Sequence, residues 1–286
     1  METRLVRAGG ATLAVTEQGQ GEPVIMLHGF PELAWSWRHQ IPALARAGFR
    51  AIAPDQRGYG RSDKPEEVGE YGLGLLAADV TALADALDLD TFHLVGHDWG
   101  SIVAWTVAVT APERLRSVTS LNVPYRGWCT GFPKLSVIDE SLRQRFGYVL
   151  RFQEPGAEEA RFAADPERWL RTTFQALAAD TGFLTDDEFG VFLDAFTTHG
   201  ITGPLNWYRN VDANHDAFAH LADAPIEVPT LVVTADFDPV LPARLAEGMG
   251  RWVPHLTTVA VSNSGHWTQQ EQPEQVNRAL VGFLNR

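Results

Sequence analysis

The sequence is poor in several features that would each point to a class of function. It has a single cysteine, Cys129, which excludes an internal disulfide framework and a cysteine-based metal cluster. It has no long hydrophobic run: the longest apolar stretch, around Ile102 to Val109, is interrupted by Thr106 and is far too short to span a bilayer. Positive charge is scarce, with 23 Lys and Arg against 36 Asp and Glu for a net charge of −13. A surface that negative repels phosphate backbones and anionic lipid, so neither nucleic acid nor a membrane is an expected partner. The opening Met1-Glu2-Thr3-Arg4 lacks the apolar stretch of a signal peptide, so the expected location is the cytoplasm. What is there, 286 residues at 45% hydrophobic and 21% charged, is a globular composition that excludes disorder and collagen-like architecture.

Short β-branched runs alternate with amphipathic stretches. Leu5–Val6 and Leu13–Thr16 flank Gly9-Gly10 and predict an opening hairpin. Val24-Ile25-Met26-Leu27 is a compact apolar run, as expected of a strand buried on both faces. Further strands are expected at Arg50–Ala53, Phe92–Val95, Arg116–Leu121, Thr230–Thr234 and Thr257–Val261. Helices are expected ending near Ala47, over Leu73–Leu87 with Leu76, Val80, Leu83 and Leu87 on one stripe, and over Ser101–Thr110. Such alternation implies an α/β fold, a mostly parallel sheet with helices on both faces. The rhythm fails over 125–217, which has helical periods and no clear strand. The expected layout is one core of residues 1–124 and 218–286 carrying an inserted helical lid. In such sheets ligands bind just past the C-terminal ends of the strands.

One strand end stands out. The strand Phe92–Val95 runs into Gly96-His97-Asp98-Trp99-Gly100 and then a helix, the context of a nucleophile elbow. The glycines permit close backbone approach, and the position usually held by serine is Asp98. An aspartate is ionised at neutral pH, with an ordinary pKa of about 3.9, and needs no base to become a nucleophile. Attack on a carbonyl would give an easily reversed anhydride, whereas attack on an sp³ carbon gives a stable ester that water later cleaves. Asp98 therefore points to epoxides or alkyl halides. A plain N-cap role for Asp98 explains neither the paired glycines nor the partners that follow.

Asp238 follows the strand Thr230–Thr234, and His266 follows Thr257–Val261. The order Asp98, Asp238, His266 matches the nucleophile–acid–histidine order of the hydrolase triad. His266 would deprotonate water, with Asp238 orienting its imidazole. Asp236, two residues away, competes for the acid role. The remaining histidines, His93 among them, show no metal-ligand spacing, so no metal is expected. The loop His28-Gly29-Phe30-Pro31 follows the strand Val24–Leu27, where such folds take one oxyanion donor from a backbone N–H. The amides of Phe30 and Trp99 are the candidates.

These residues carry a resemblance to the α/β-hydrolase-fold epoxide hydrolases, of the soluble type without an extra N-terminal domain. The matching strings are His28-Gly-Phe-Pro-Glu-Leu-Ala-Trp-Ser-Trp-Arg38, Asp55-Gln-Arg-Gly-Tyr-Gly-Arg-Ser62, Gly96-His-Asp-Trp-Gly100, Phe152-Gln-Glu-Pro-Gly156, Gly203-Pro-Leu-Asn-Trp-Tyr-Arg-Asn210 and Gly265-His-Trp-Thr-Gln269. Ser101 stands where the family often has another glycine. The resemblance implies two lid tyrosines, Tyr148 and Tyr208, that protonate the epoxide oxygen, with Tyr125 a weaker alternative. It also implies that His28, Pro31 and Trp207 contribute to the substrate site. The implied reactants are a small-molecule epoxide and water, with a vicinal diol as product and no cofactor. Homo-oligomerisation is left open.

The nearest rival is a haloalkane dehalogenase, which shares the aspartate nucleophile. That chemistry usually adds a side-chain N–H donor for halide, often an Asn at the position of Phe30, and phenylalanine has none. A fluoroacetate dehalogenase would carry arginine where Trp99 stands. A non-catalytic receptor built on the same scaffold would not need the base–acid pair, and a serine esterase is disfavoured by Asp98 itself.

Overall fold

The computed structural model describes residues 2–125 and 133–286; Cys129 lies outside them. The apolar runs become β1 (Glu2–Ala8), β2 (Ala11–Gln18), β3 (Glu22–Leu27), β4 (Phe49–Pro54), β5 (Phe92–His97), β6 (Leu115–Leu121), β7 (Thr230–Ala235) and β8 (Leu256–Val261). They form one eight-stranded sheet in the order β1-β2-β4-β3-β5-β6-β7-β8. The β1–β2 hairpin closes at Ala8↔Ala11 across the two glycines, and β2 runs antiparallel to β4. From β4 to β8 every pairing is parallel.

Helices α1 (Gln40–Arg46), α2 (Leu73–Ala86) and α3 (Trp99–Thr110) alternate with the strands. Between β6 and β7 come α4 (Glu140–Arg151), α5 (Ala157–Ala164), α6 (Pro166–Leu177), α7 (Asp186–His199), α8 (Thr202–Arg209) and α9 (Val211–Phe218), with no strand among the described residues. The short α10 (Thr268–Glu271) and α11 (Pro273–Leu284) close the chain.

The pleat of β3 explains why its run reads as continuously apolar. Val24 and Met26 enter a core with Trp37, Ile41, Val276 and Leu280, whereas Ile25 and Leu27 enter the opposite one with Leu76, Val80 and Val103. Both faces are buried, and each such side chain contributes roughly 1.5–3 kcal/mol. Helix α3 is buried from Trp99 to Ala108 and is correspondingly apolar on all sides. It starts at Trp99, two residues earlier than its apolar pattern suggests, because the turn ahead of it is a single residue. Asp98 makes that turn with φ +50° and ψ −122°, a conformation that costs a non-glycine residue on the order of 1–3 kcal/mol.

The flanking glycines make the turn feasible. A Cβ on Gly96 would lie 2.4 Å from the carbonyl oxygen of Gly100, and a Cβ on Gly100 would lie 2.1 Å from that of Leu27. Ser101 fits beside them, donating from Oγ to the carbonyl of Leu121. Gly100→Ala is therefore expected to lower the unfolding free energy by about 2 kcal/mol or more, since backbone has to shift to admit one methyl group. Urea unfolding with an unchanged m-value checks this; an unchanged midpoint would show that β3 and α3 are not in close contact.

Candidate active site

Five strand ends and their loops meet at one edge of the sheet. β5 delivers Asp98, β3 the loop with Phe30, β6 Asn122, β7 Asp238 and β8 His266. Although Asp98 occupies the N-cap position of α3, its side chain makes no capping bond. The backbone N–H of Phe30 donates to Asp98 Oδ1 at 2.9 Å, and His266 Nε2 stands 3.6 Å from Asp98 Oδ2. Trp99 opens α3, so its amide belongs to the first helical turn, whose N–H groups have no intrahelical acceptor.

His266 Nδ1 donates to Asp238 Oδ2 at 2.8 Å. Asp238 is buried, and its other oxygen accepts the amides of Val240 and Leu241, both at 2.8 Å. Burial pushes the Asp238 carboxyl up, but His266, Asn122 and the Leu241 amide outweigh it and hold the group well below the usual range. Asp236 instead accepts the amides of Asn263 and Ser264 at 3.0 Å each and is exposed. It braces the loop after β8 and makes no bond to His266. For His266, burial disfavours the cation, yet the carboxylates of Asp238 and Asp98 outweigh it and raise its pKa well above 6.5.

Asn122 was not singled out by its sequence context. It sits at φ +68° and donates from Nδ2 to Asp238 Oδ2 at 2.7 Å, while its Oδ1 accepts the Thr268 hydroxyl at 2.7 Å. One amide side chain thus joins Asp238 to the loop carrying His266.

A second buried group ties the loops together. Glu32, fully buried, faces His97 Nδ1 at 2.6 Å and accepts the Gly29 amide at 2.9 Å and the side chains of Gln269 and Gln270 at 2.8 and 2.9 Å. His97 Nε2 donates to the carbonyl of His266 at 2.8 Å. Burial works against the Glu32 anion, but His97 and the Gly29 amide hold its pKa down at about 2. The signal for this pair was an acid inside Phe-Pro-Glu-Leu-Ala and a histidine at the end of an apolar strand.

Above the edge, Tyr148 of α4 and Tyr208 of α8 face each other with ring centroids 5.9 Å apart. Tyr208 packs edge-on against Phe30 at 5.2 Å and Trp99 at 5.0 Å. Burial, reinforced by Tyr148 and Asp98, raises its phenol pKa well above 10. Tyr125 turns away, its hydroxyl donating to the carbonyl of Ala224 at 2.5 Å. Asp98, His266, Tyr148, Tyr208 and Phe30 all line one cavity of about 1100 Å³.

Three residues expected in the substrate site do not line that cavity. His28 is fully buried: the Gln56 amide donates to its Nε2 at 3.0 Å, so Nδ1 carries the proton and donates to the carbonyl of Gly29 at 2.9 Å. Pro31, joined to Phe30 by a cis peptide bond, is buried behind the loop. Trp207 packs edge-on against Trp99 at 5.7 Å, with its indole N–H donating to the carbonyl of Arg57 at 3.0 Å. All three support the wall rather than form it.

The loop carrying His266 is also fastened to the inserted helices. The His266 amide donates to the carbonyl of Leu177, at the end of α6, at 2.8 Å. A Cβ on Gly265 would lie 2.4 Å from the amide nitrogen of Ala179, so only glycine permits this approach. Among the described residues, no three His, Cys, Asp or Glu side chains are grouped to hold a metal ion, and no helix is long and apolar enough to cross a membrane.

Comparison with known proteins bears on this arrangement. The α/β hydrolase fold family matches residues 22–273. An epoxide hydrolase A of Mycobacterium tuberculosis is 38% identical over 98% of this chain and 96% of its own length. The pig bifunctional epoxide hydrolase 2 is 36% identical over 96% of this chain, which spans only 53% of that longer protein. Among solved structures, an epoxide hydrolase A from Mycobacterium thermoresistibile superposes with a TM-score of 0.89 at 37% identity, covering 99% of this chain and 98% of the other.

The Glu32 network yields a test. Its folded pKa of about 2 lies below the ordinary 4.5, so its contribution to stability is complete above that ordinary value and is lost as pH falls toward the folded one. Wild type should be more stable than Glu32→Gln at neutral pH, and the gap should narrow across that acidic window. Urea unfolding at a series of pH values checks it, and a gap independent of pH would show that Glu32 is not held as a buried anion.

Proposed function

The chain belongs to the α/β-hydrolase fold family and, within it, to the epoxide hydrolases, and from that premise we propose that it converts epoxides to vicinal diols through an ester on Asp98. The observation that carries this mechanism is the division of labour between the two oxygens of Asp98. Oδ1 is held by the Phe30 amide, Oδ2 stands 3.6 Å from His266 Nε2, and Asp98 lines the cavity.

In the first step Oδ2 attacks a ring carbon, the carbon–oxygen bond of the ring breaks, and a tyrosine hydroxyl protonates the departing oxygen. Burial keeps the Tyr208 phenol protonated in the resting site, and an alkoxide is basic enough to take that proton. Tyr148 shares the donor role across the cavity. The inserted helices that carry both tyrosines act as a lid over the reacting atoms.

In the second step water attacks the ester carbonyl, whose oxygen is the former Oδ1. The negative charge then develops where the Phe30 amide already points, with the Trp99 amide as partner. A preorganised donor of this kind is worth roughly 3–4 kcal/mol in the transition state. Collapse of the tetrahedral intermediate breaks the ester carbon–oxygen bond, and the imidazolium gives its proton to the departing alkoxide, which completes the diol. The Asp98 carboxylic acid so formed returns a proton to the tyrosinate left by the first step, which restores the Asp98 carboxylate.

The raised pKa of His266 fits this sequence. Two carboxylates favour its proton in the resting enzyme, and forming the ester removes the charge of one of them. With that charge gone the imidazolium loses its proton more readily, so the neutral base is available once there is an ester to cleave, and Asp238 then stabilises the imidazolium that water attack produces. The dehalogenase alternative finds less support, because the aromatic ring of Phe30 lines the cavity where a second side-chain donor for halide is needed.

The variant His266→Ala should still form the ester and fail to cleave it, with turnover reduced by about 10²–10⁴-fold. Intact mass after mixing with an epoxide should rise by the whole mass of that epoxide. A gain equal to a haloalkane less its hydrogen halide would instead indicate dehalogenation. In a single wild-type turnover in isotopically labelled water, label should enter Asp98 rather than the diol; label appearing directly in the diol would overturn the covalent route.

A further inference from the structure

Arg57 sits at a junction that the chemistry described above does not use. It and Asp79 are buried, yet neither lines the cavity of Asp98. The Arg57 side chain donates from Nε and Nη2 to the two oxygens of Asp79 on α2, at 2.7 and 2.6 Å. Its remaining nitrogen, Nη1, reaches Glu70 in the short turn Val68–Tyr71 at 3.3 Å. The backbone of the same residue serves the inserted helices, because its carbonyl accepts the indole N–H of Trp207 on α8. Tyr208 is the next residue along that helix.

Two further contacts seat α8 on the same loop and turn. A Cβ on Gly203 would lie 2.7 Å from the Cα of Gly58, so the two backbones meet through glycines. Asn210, just past the other end of α8, donates from Nδ2 to the carbonyl of Val68 at 2.6 Å. Trp207 itself is fully buried, edge-on to Tyr59 at 5.5 Å and to Trp99. Trp99 in turn meets the ring of Tyr208. Contacts therefore run unbroken from Asp79 through Arg57 and Trp207 to Tyr208.

Stability alone does not account for the ion pair. Burial pushes the Asp79 carboxyl above its ordinary range even with the Arg57 guanidinium beside it. An apolar pair of similar volume would hold α2 against the loop as well. What a bidentate arginine–carboxylate pair adds is direction, because a planar fork meeting two oxygens fixes both distance and plane. Here it fixes the residue whose carbonyl anchors Trp207. We propose that Arg57 and Asp79 are positioning residues for the proton donor, their pair setting where α8 holds the Tyr208 hydroxyl relative to Asp98. This role rests on the epoxide-opening function argued above.

The test reads ring opening by itself. In the His266→Ala background the ester accumulates, so the rate of mass gain with an epoxide reports its formation. Adding D79N should slow that rate about tenfold or more, since a displacement of about 1 Å can cost roughly a hundredfold. With Y208F also present, where Tyr148 remains as donor, D79N should cost less than about twofold, because the two positions act as one. R57M/D79L separates position from folding and carries the same cycle should D79N fail to fold. Its urea midpoint should stay near that of wild type while ring opening stays slow. Equal losses with and without the Tyr208 hydroxyl, or ring opening restored in R57M/D79L, overturn the proposal. The same cycle read in kcat/KM without His266→Ala covers a route that forms no ester. The Trp207 indole N–H gives a reading without turnover. Its NMR signal should shift and exchange faster in D79N, whereas that of Trp105, bonded to the carbonyl of Val123, should not. An unmoved Trp207 signal overturns the clamp even in an active epoxide hydrolase. A shifted signal in a protein that opens no epoxide would sink the epoxide-opening function and keep the clamp on α8.

Discussion

The pair formed by Glu32 and His97 holds the three working loops at fixed distances from one another. Glu32 grips the amide of Gly29 next to Phe30, His97 immediately precedes Asp98, and the other nitrogen of His97 holds the carbonyl of His266. Burying such a pair costs desolvation of both groups, and it is tolerated only because every oxygen of Glu32 has donors. Removing one partner would leave the other buried and unsatisfied, so the group acts as a single fastening. It lies at the sheet edge and does not line the cavity, so this charge pair is kept apart from Asp98 and His266, which do.

Much of the architecture could be read in advance because it depends on local pattern. A run such as Val24-Ile25-Met26-Leu27 has only one comfortable fate, a strand with both faces covered, and the structure gives each face its own core. The turn at Asp98 was equally legible, since two glycines around a polar residue after a strand describe the close approach to Leu27 and Gly100. Contacts between distant loops were not legible. Spacing alone could not separate Asp236 from Asp238, because both lie on the same loop and only the position of the loop after β8 decides which one meets the imidazole. Asn122, Glu32 and His97 went unnoticed for the same reason: their partners lie far away in the sequence. His28, Pro31 and Trp207 illustrate the converse, being next to cavity residues in sequence and behind them in space.

The site also solves an electrostatic problem. In the mechanism proposed above, Asp98 is to act as an anion in an already acidic protein, with the Tyr208 phenol neutral beside it. The Phe30 amide and the His266 imidazole supply the counterweight to Asp98, while burial of Tyr208 ensures that no second anion forms there.

The bond from the His266 amide to the carbonyl of Leu177, and the absence of a side chain at Gly265 that allows it, have a consequence for how such a protein can diversify. An insertion attached only at its two chain ends could be exchanged between relatives like a cassette, carrying its pocket with it. Here the backbone of His266 is stitched into the end of α6, so a transplanted insertion would bring along one of the anchors that positions the imidazole. Recombination at the obvious boundaries would scramble that anchor even where the triad was left untouched. Pocket variation in this scaffold is therefore expected to accumulate by replacement of side chains along α4, α5 and the outward part of α6, with the Leu177 end inherited together with the core.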